Sequence, residues 1–308
     1  MSKLINKRNI NGILLLNKPL GISSNQALQK AKRLFAAKKA GHTGSLDPLA
    51  SGMLPICFGE ATKFSQFLLD SDKSYEVVAK LGEKTTTGDA EGEVIATSNF
   101  EHITLDQVEQ TVSQFIGEIN QVPPMFSAIK QNGKPLYELA RKGIEVERKS
   151  RLVKIYDIRI KSFENDSLSL SVSCSKGTYI RTLVEDIAIA LDTVAHVIAL
   201  DRSMVEPFGD NQMFTLEELD AHKESNDFAK LDEHLLPIDF AIKSFPEVEL
   251  APDVAFYFCR GQEVHANNLP KTGMVRIYAN DSNFLGIGQV TDDGRLAPKR
   301  LVATLSIE

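Results

Sequence analysis

Cysteine is scarce in this chain: three in 308 residues, at Cys57, Cys174 and Cys259, odd in number and far apart. With no CxxC pair, neither a disulfide framework nor a cysteine metal clamp is available, and the thiols read as reduced and mostly buried. The six histidines show no HExxH or paired-ligand spacing, so no catalytic or structural zinc is expected. No apolar run approaches the ~20 residues needed to cross a bilayer. The opening Met-Ser-Lys-Leu-Ile-Asn-Lys-Arg lacks the apolar centre of a secretion signal. These absences lead to an expectation of a cytoplasmic protein without membrane contact. Internal repeats and low-complexity tracts are missing as well.

A hydrophobic content of 43% in 308 residues is ample for a buried core and suggests one large domain or two. The net charge of −6 argues against a polyanionic partner until its distribution is read. Residues 1–70 hold ten Lys/Arg against three Asp/Glu, and residues 126–160 hold nine against four. Residues 201–253 carry four against fourteen. A basic N-terminal half and an acidic connector suit a polyanion bound on one face.

Periodicity predicts a mixture of strands and helices, with several strands adjacent in sequence, hence an α+β fold. Gly12–Leu16 reads as a buried strand and Ser23 to about Ala37 as a helix capped by Ser24, with Lys30, Lys32, Arg33, Lys38 and Lys39 on its polar face. Tyr75–Leu81 and Glu93–Ile95 read as strands joined by a Gly/Thr-rich loop at 82–92. Thr104-Leu105-Asp106-Gln107 has capping-box form and opens a helix to Ile116. The polar, basic segment 130–151 reads as a flap over a ligand. Leu152–Ile160 and Ser167–Ser173 alternate as a strand pair, and Thr178–Leu191 and Val194–Leu200 read as helices. The acidic connector 208–245 is expected to hold helices near Leu216–His222 and Phe228–Leu236. Beyond Pro246, short β-like pieces (Ala255–Cys259, Met274–Ala279, Phe284–Val290, Arg300–Ser306) between turn residues suit a small all-β barrel.

Residues 41–55 read Gly-His-Thr-Gly-Ser-Leu-Asp-Pro-Leu-Ala-Ser-Gly-Met-Leu-Pro. Gly and Pro break helices and central strands, so an irregular loop holding Asp47 beside His42 is expected. By composition it is equally an ordinary turn, since Asp-Pro after Ser-Leu suits turn initiation.

The run resembles the catalytic motif of the TruB family of tRNA pseudouridine-55 synthases, with the core Gly44-Ser45-Leu46-Asp47-Pro48. Asn17-Lys18-Pro19-Leu20-Gly21-Ile22-Ser23-Ser24 resembles the family's first motif, and Ser71-Asp72-Lys73-Ser74-Tyr75 the segment of its active-site tyrosine. Val122-Pro123-Pro124-Met125-Phe126-Ser127-Ala128 and Ser175-Lys176-Gly177-Thr178-Tyr179-Ile180-Arg181 complete the series in order. Val275-Arg276-Ile277-Tyr278 and Leu285-Gly286-Ile287-Gly288 resemble strands of the PUA-like RNA-binding domain that ends many members.

The resemblance implies a mixed-sheet pseudouridine synthase catalytic domain over 1–246 and a PUA-like domain over 247–308. It implies isomerisation of uridine 55 in the tRNA T-loop by base flipping. Asp47 would be the catalytic carboxylate, paired with Arg181; Tyr75 would stack on the uracil, with Tyr179 and Leu200 lining the pocket. His42 would fill the place of the flipped base, and Lys18 and Pro19 would support the tyrosine. Whether Asp47 adds to the uracil ring, attacks C1′ or removes a C2′ proton is open at this level. No cofactor is implied, because the isomerisation adds no atoms. The expected partner is tRNA, through its T-arm and acceptor stem, the latter met by Arg260, Lys271, Arg276, Arg295, Lys299 and Arg300, and the expected state is a monomer. A tRNA-folding chaperone acting largely without catalysis is the alternative reading. After Leu200 two basic residues are expected, but Asp201 and Arg202 stand there, removing one phosphate contact.

Overall fold

The computed structural model describes residues 7–209, 211–224, 228–279 and 283–303. Strand β1 (Gly12–Lys18) is buried on both faces, which is why its apolar run is continuous instead of alternating. Leu14 and Leu16 join the main core, while Ile13 and Leu15 face a second cluster with Phe64, Phe208 and Ile287. Helix α1 (Ser24–Leu34) buries Leu28, Ala31 and Leu34 and leaves Lys30 and Arg33 exposed. Its cap is Ser23, not the expected Ser24: the Ser23 hydroxyl and Gln26 form a capping box. The helix ends at Leu34, because Ala36 takes a left-handed φ of 50°.

Strands β2 (Ala40–His42) and β3 (Ala50–Phe58) bracket the Asp47 motif, so the irregular loop is far shorter than Gly and Pro suggested. Two residues allow this. Gly52 has φ 97°, and a Cβ there would lie 2.4 Å from the Arg202 carbonyl oxygen, so only glycine admits the neighbouring strand. Pro55 accepts from the Thr43 amide (3.0 Å), on the side away from β1, so its missing N–H removes no β1–β3 bond.

Helix α2 (Ser65–Leu69) leads to β4 (Lys73–Leu81), whose strict alternation buries Tyr75, Val77, Ala79 and Leu81. Strands β5 (Glu83–Thr85) and β6 (Val94–Thr97) pair with each other, and the 82–92 segment is therefore partly strand. Helix α3 (Leu105–Ser113) has the expected Thr104–Gln107 capping box. Strand β7 (Gly117–Gln121) had no clear signal in sequence. The flap region carries β8 (Lys130–Gln131), β9 (Lys134–Pro135) and helix α4 (Leu136–Ala140). Strands β10 (Arg151–Glu164) and β11 (Ser167–Cys174), then helix α5 (Ile180–Ala190), fall where alternation and helical spacing put them.

Residues 195–205, expected to begin as a helix, form strand β12 (Ala195–Val205). This strand lies between β3 and β4, and burial of Ala195, His196 and Val197 erased the alternation that marks a strand. The sheet runs β1-β3-β12-β4-β11-β10-β7 with β2 also on β3; β12 is parallel to β3 and antiparallel to β4, which makes it mixed.

Helices α6 (Leu216–Glu224) and α7 (Phe228–Asp232) occupy the acidic connector. Then β13 (Glu247–Leu250), helix α8 (Pro252–Cys259), β14 (Gly273–Ala279), β15 (Asn283–Val290) and β16 (Leu296–Leu301) build a four-stranded sheet around Val248, Phe258, Val275, Ile277, Leu285 and Leu296. This part is not all-β: Ala255–Cys259 is helical, started by Pro252 at the first helical turn, where a missing N–H costs nothing. The last strand lies earlier than expected, and residues 304–306 of that expectation fall outside the described residues. The small sheet packs on the large one through Ile287, Met274 and Phe284, the last 5.6 Å from the Phe64 ring. Among the described residues no helix is long and apolar enough to cross a membrane. Cys57 and Cys174 are buried and Cys259 is half-buried, all as free thiols.

Candidate active site

Asp47 sits on the loop between β2 and β3, held from both sides. The buried Ser24 hydroxyl donates to the Leu46 carbonyl (3.0 Å) and accepts from the Leu46 amide (2.7 Å), which is what Ser24 does instead of capping α1. The Ala50 amide donates to the Asp47 carbonyl (3.1 Å) and the Gly21 amide to the Pro48 carbonyl (2.8 Å). The first-motif segment thus grips the backbone of the Asp47 loop.

Arg181 lies in the first turn of α5 with its side chain only 7% exposed. Its Nη2 is 2.9 Å from Asp47 Oδ2 and donates to the Phe126 carbonyl (2.7 Å). Its Nη1 donates to the Thr87 carbonyl (2.7 Å) and to Asp89 Oδ2 (3.2 Å). Three hydrogen bonds and an ion pair are thus spread over both terminal nitrogens, as a planar fork permits and an ammonium does not. Asp89 is buried and receives the Thr87 hydroxyl and the Glu91 amide on its other oxygen. Sequence reading left Asp89 in an unassigned loop; the Thr-Thr-Thr-Gly-Asp run at 85–89 was the available signal.

The surroundings push the Asp47 carboxyl above its ordinary 3.8, through desolvation first, opposed by Arg181, reinforced by Asp89 and opposed again by Lys18. Lys18 is wholly buried, with Nζ donating to the Pro19 and Ile22 carbonyls (2.8 Å each). Desolvation lowers it to about 8, against the attraction of Asp47 and Glu91.

A cleft of about 280 Å³ opens over these groups, and its walls include Asp47, Tyr75, Tyr179, Arg181 and Leu200. Tyr75 on β4 is 8% exposed, and burial raises its phenol. Tyr179 is clamped through its backbone by Gln121, whose amide nitrogen donates to the Tyr179 carbonyl (3.0 Å) while its oxygen accepts from the amide (2.7 Å). The Arg151 guanidinium lies 4.7 Å from the Tyr179 ring centre. Gln121, like Asp89, had escaped the sequence reading.

Five of the eight expected site residues thus share one cleft. Lys18 lies behind it, His42 stands at the end of β2, and Pro19 borders a separate groove with Lys30 and Arg33. Desolvation lowers the His42 imidazole, helped by Arg202 and opposed by a backbone bond from Gly44. Arg202 is 1% exposed and so is no surface phosphate contact. Asp201 instead accepts from the Ser51 hydroxyl (2.6 Å), tying β12 to the end of the Asp47 loop. Among the described residues no group of three His, Cys, Asp or Glu gathers as a metal site.

A mixed sheet presenting one arginine-paired carboxylate in an aromatic-walled cleft defines a carboxylate-centred enzyme. Comparison with known proteins narrows the class. Residues 32–180 match the TruB family pseudouridylate synthase N-terminal domain, 181–243 the tRNA pseudouridylate synthase B C-terminal domain, and 246–302 the pseudouridine synthase II TruB C-terminal region. The chain is 53% identical over 302 residues to tRNA pseudouridine synthase B of Yersinia pestis (strain Pestoides F), covering 96% of this chain and 93% of that one. It is 50% identical over 296 residues to the protein of the same description from Coxiella burnetii (strain Dugway 5J108-111), covering 96% of each. A chain in the crystal structure of a Cbf5-Nop10-Gar1 complex superposes with TM-score 0.70 at 26% identity, over 91% of this chain and 78% of that one. The chain belongs to the TruB family of pseudouridylate synthases.

Proposed function

We propose that this protein isomerises uridine 55 of the tRNA T-loop to pseudouridine. The observation that carries the reading is the Asp47–Arg181 pair at 2.9 Å, set in a cleft walled by Tyr75, Tyr179 and Leu200. The relatives at 50–53% identity bear the name tRNA pseudouridine synthase B. The reaction breaks the N1–C1′ bond and rejoins the ring through C5, so atoms are conserved and one ionised carboxylate in a sheltered site is the central requirement. Arg181 supplies a cation that opposes the desolvation of the Asp47 carboxylate. A T-loop uridine must leave its stack to reach this cleft. Tyr75 then offers an aromatic face, and Tyr179 and Leu200 close the walls.

Residues 1–246 form the catalytic unit on this reading, 130–151 the RNA-contacting flap and 247–308 a PUA-like RNA-binding unit. The partner is tRNA, met by a monomer in the cytoplasm. The exposed Lys30, Arg33, Lys38 and Lys39 of α1 and its exit give a basic face for phosphates. The test is to incubate the protein with an unmodified tRNA transcript and map pseudouridine by carbodiimide labelling and primer extension. A single stop reporting position 55 is expected. A transcript that binds and remains unlabelled, or is labelled elsewhere, contradicts the proposal.

A further inference from the structure

Arg202 is a buried cation for which the proposed chemistry has no use. Its Nε donates to the Met53 carbonyl (2.7 Å), while Nη2 is buried without a hydrogen-bond partner. Among the described residues no carboxylate lies within 4.0 Å of it, in contrast to Arg181, which has two. Nη1 lies under the Asp47 loop, 3.4 Å from where a Cβ on Gly44 would stand. Its charge opposes the protonated forms of Lys18, His42 and Lys73 alike. Burying an unpaired ion is unfavourable, so this arrangement needs a group that uses the charge.

The backbone shows which group that is. In the antiparallel pairing of β12 with β4, Asp201 faces Glu76 and Met204 faces Ser74. Arg202 and Ser203 are therefore two residues opposite one, Tyr75. This is a β-bulge just past the point where Arg202 meets Tyr75. Leu200 faces Val77, so strand alternation already sets Arg202 on that face, where it shares a cleft wall with Tyr75, and the guanidinium acts on the phenol against the effect of burial. A guanidinium only donates. Towards it the phenol oxygen can serve only as acceptor, which leaves the Tyr75 O–H for a partner in the cleft.

We propose that Arg202 is a positioning residue for Tyr75, anchored on the Met53 carbonyl and set across from the ring by the β12–β4 register, fixing ring and hydroxyl towards the bound base. The proposal rests on the reading of the cleft as the uracil site. It gives the buried Arg202 charge a use that its bond to Met53 alone does not.

The test uses full-length protein with 13Cζ-labelled tyrosine, in which the Tyr75 signal among six tyrosines is identified by its loss in Tyr75→Phe. In Arg202→Met the Tyr75 resonance at neutral pH is expected to move and the other five to stay. The single-turnover rate should fall at least about tenfold, as for a lost orienting contact, with tRNA Kd within about threefold. Arg202→Lys, which keeps the charge, should recover part of the rate. If Arg202→Met does not fold, Arg202→Gln replaces it. An unmoved Tyr75 resonance, or equal rate losses in the Lys and neutral variants, overturns the proposal. Failure of both neutral variants to fold overturns it too, because the residue would then be a strut. The resonance measurement needs no RNA, so it is separable from the functional reading, which fails if wild-type protein leaves uridine unchanged.

Discussion

Arg181→Lys isolates the geometry of the Asp47 pair from its charge. The guanidinium makes four directed contacts, to Thr87 O (2.7 Å), Asp89 Oδ2 (3.2 Å), Phe126 O (2.7 Å) and Asp47 Oδ2 (2.9 Å). They leave from two nitrogens set apart within one plane. An ammonium carries its three donors on one atom and cannot reach the Thr87 and Phe126 sides together, so at least two contacts are lost. At about 1.5–3 kcal/mol for each bond to a charged group, the loss is about 3–6 kcal/mol. If all of it is felt in the transition state, the rate falls about 10²–10⁴-fold. Affinity should hold within about threefold, because a side chain 7% exposed does not reach phosphates. Single-turnover kinetics with excess protein, set beside filter binding of the same transcript, separate the two quantities. A rate loss below tenfold, or an equal loss of affinity, refutes the assignment and makes Arg181 a binding residue.

Asp186 is raised to about 6 by burial and then by Glu185, against an ordinary 3.8. The folded state therefore holds the proton more tightly, and this contribution, complete below about pH 4, is lost as pH rises through 6. Asp186→Asn should raise Tm at pH 7.5 by about 2 °C, corresponding to about 1 kcal/mol after solvent screening of the shift, with no difference left at pH 4; a gain that persists at pH 4 contradicts this. In the C-terminal part, Arg276 pairs with Glu247, Arg295 with Glu263 and Asp293, and Arg300 donates to the Lys63 carbonyl, which leaves Arg260, Lys271 and Lys299 exposed for RNA. Replacing those three by Ala should weaken full-length tRNA binding and flatten its salt slope by up to about three, with turnover on an isolated T-arm hairpin retained. An unchanged slope removes RNA contact from this part. Removing the whole part is a poorer test, since it would strip Ile287 and Phe284 from the cluster around Phe64 and Phe208.

The candidate site was legible because its residue types are demanding. Asp47 in a Gly/Pro-rich run, Arg181 after Tyr179, and Tyr75 on an alternating strand are all where their patterns put them. The groups that hold them were not. Asp89 contributes through a buried ion pair that forms only when the 82–92 segment crosses α5, and Gln121 through backbone clamps on a residue 58 positions away. Such contacts are set by tertiary approach, and no local spacing records them. Strand β12 failed for a different reason: a strand covered on both faces carries the same continuous apolar signal as a buried helix. With the strand read as a helix, the register that sets Arg202 opposite Tyr75 was invisible, and the arginine passed for a surface residue. Helix α8 was misread because Pro252 was taken as a turn signal and not as the first residue of a helix.

The central claim is that Asp47 drives an exchange of the glycosidic bond from N1 to C5. A T-arm hairpin labelled with tritium at C5 of its target uridine tests it directly, because C5 becomes the glycosidic carbon and must give up its hydrogen to water. Wild-type protein should release the label in full. Asp47→Asn, which keeps the side-chain volume and loses the carboxylate, should release none while binding the hairpin within about tenfold of wild type. Label retained on RNA that wild-type protein binds, or release by Asp47→Asn above about one part in a hundred of the wild-type rate, about 2.7 kcal/mol, would contradict the account.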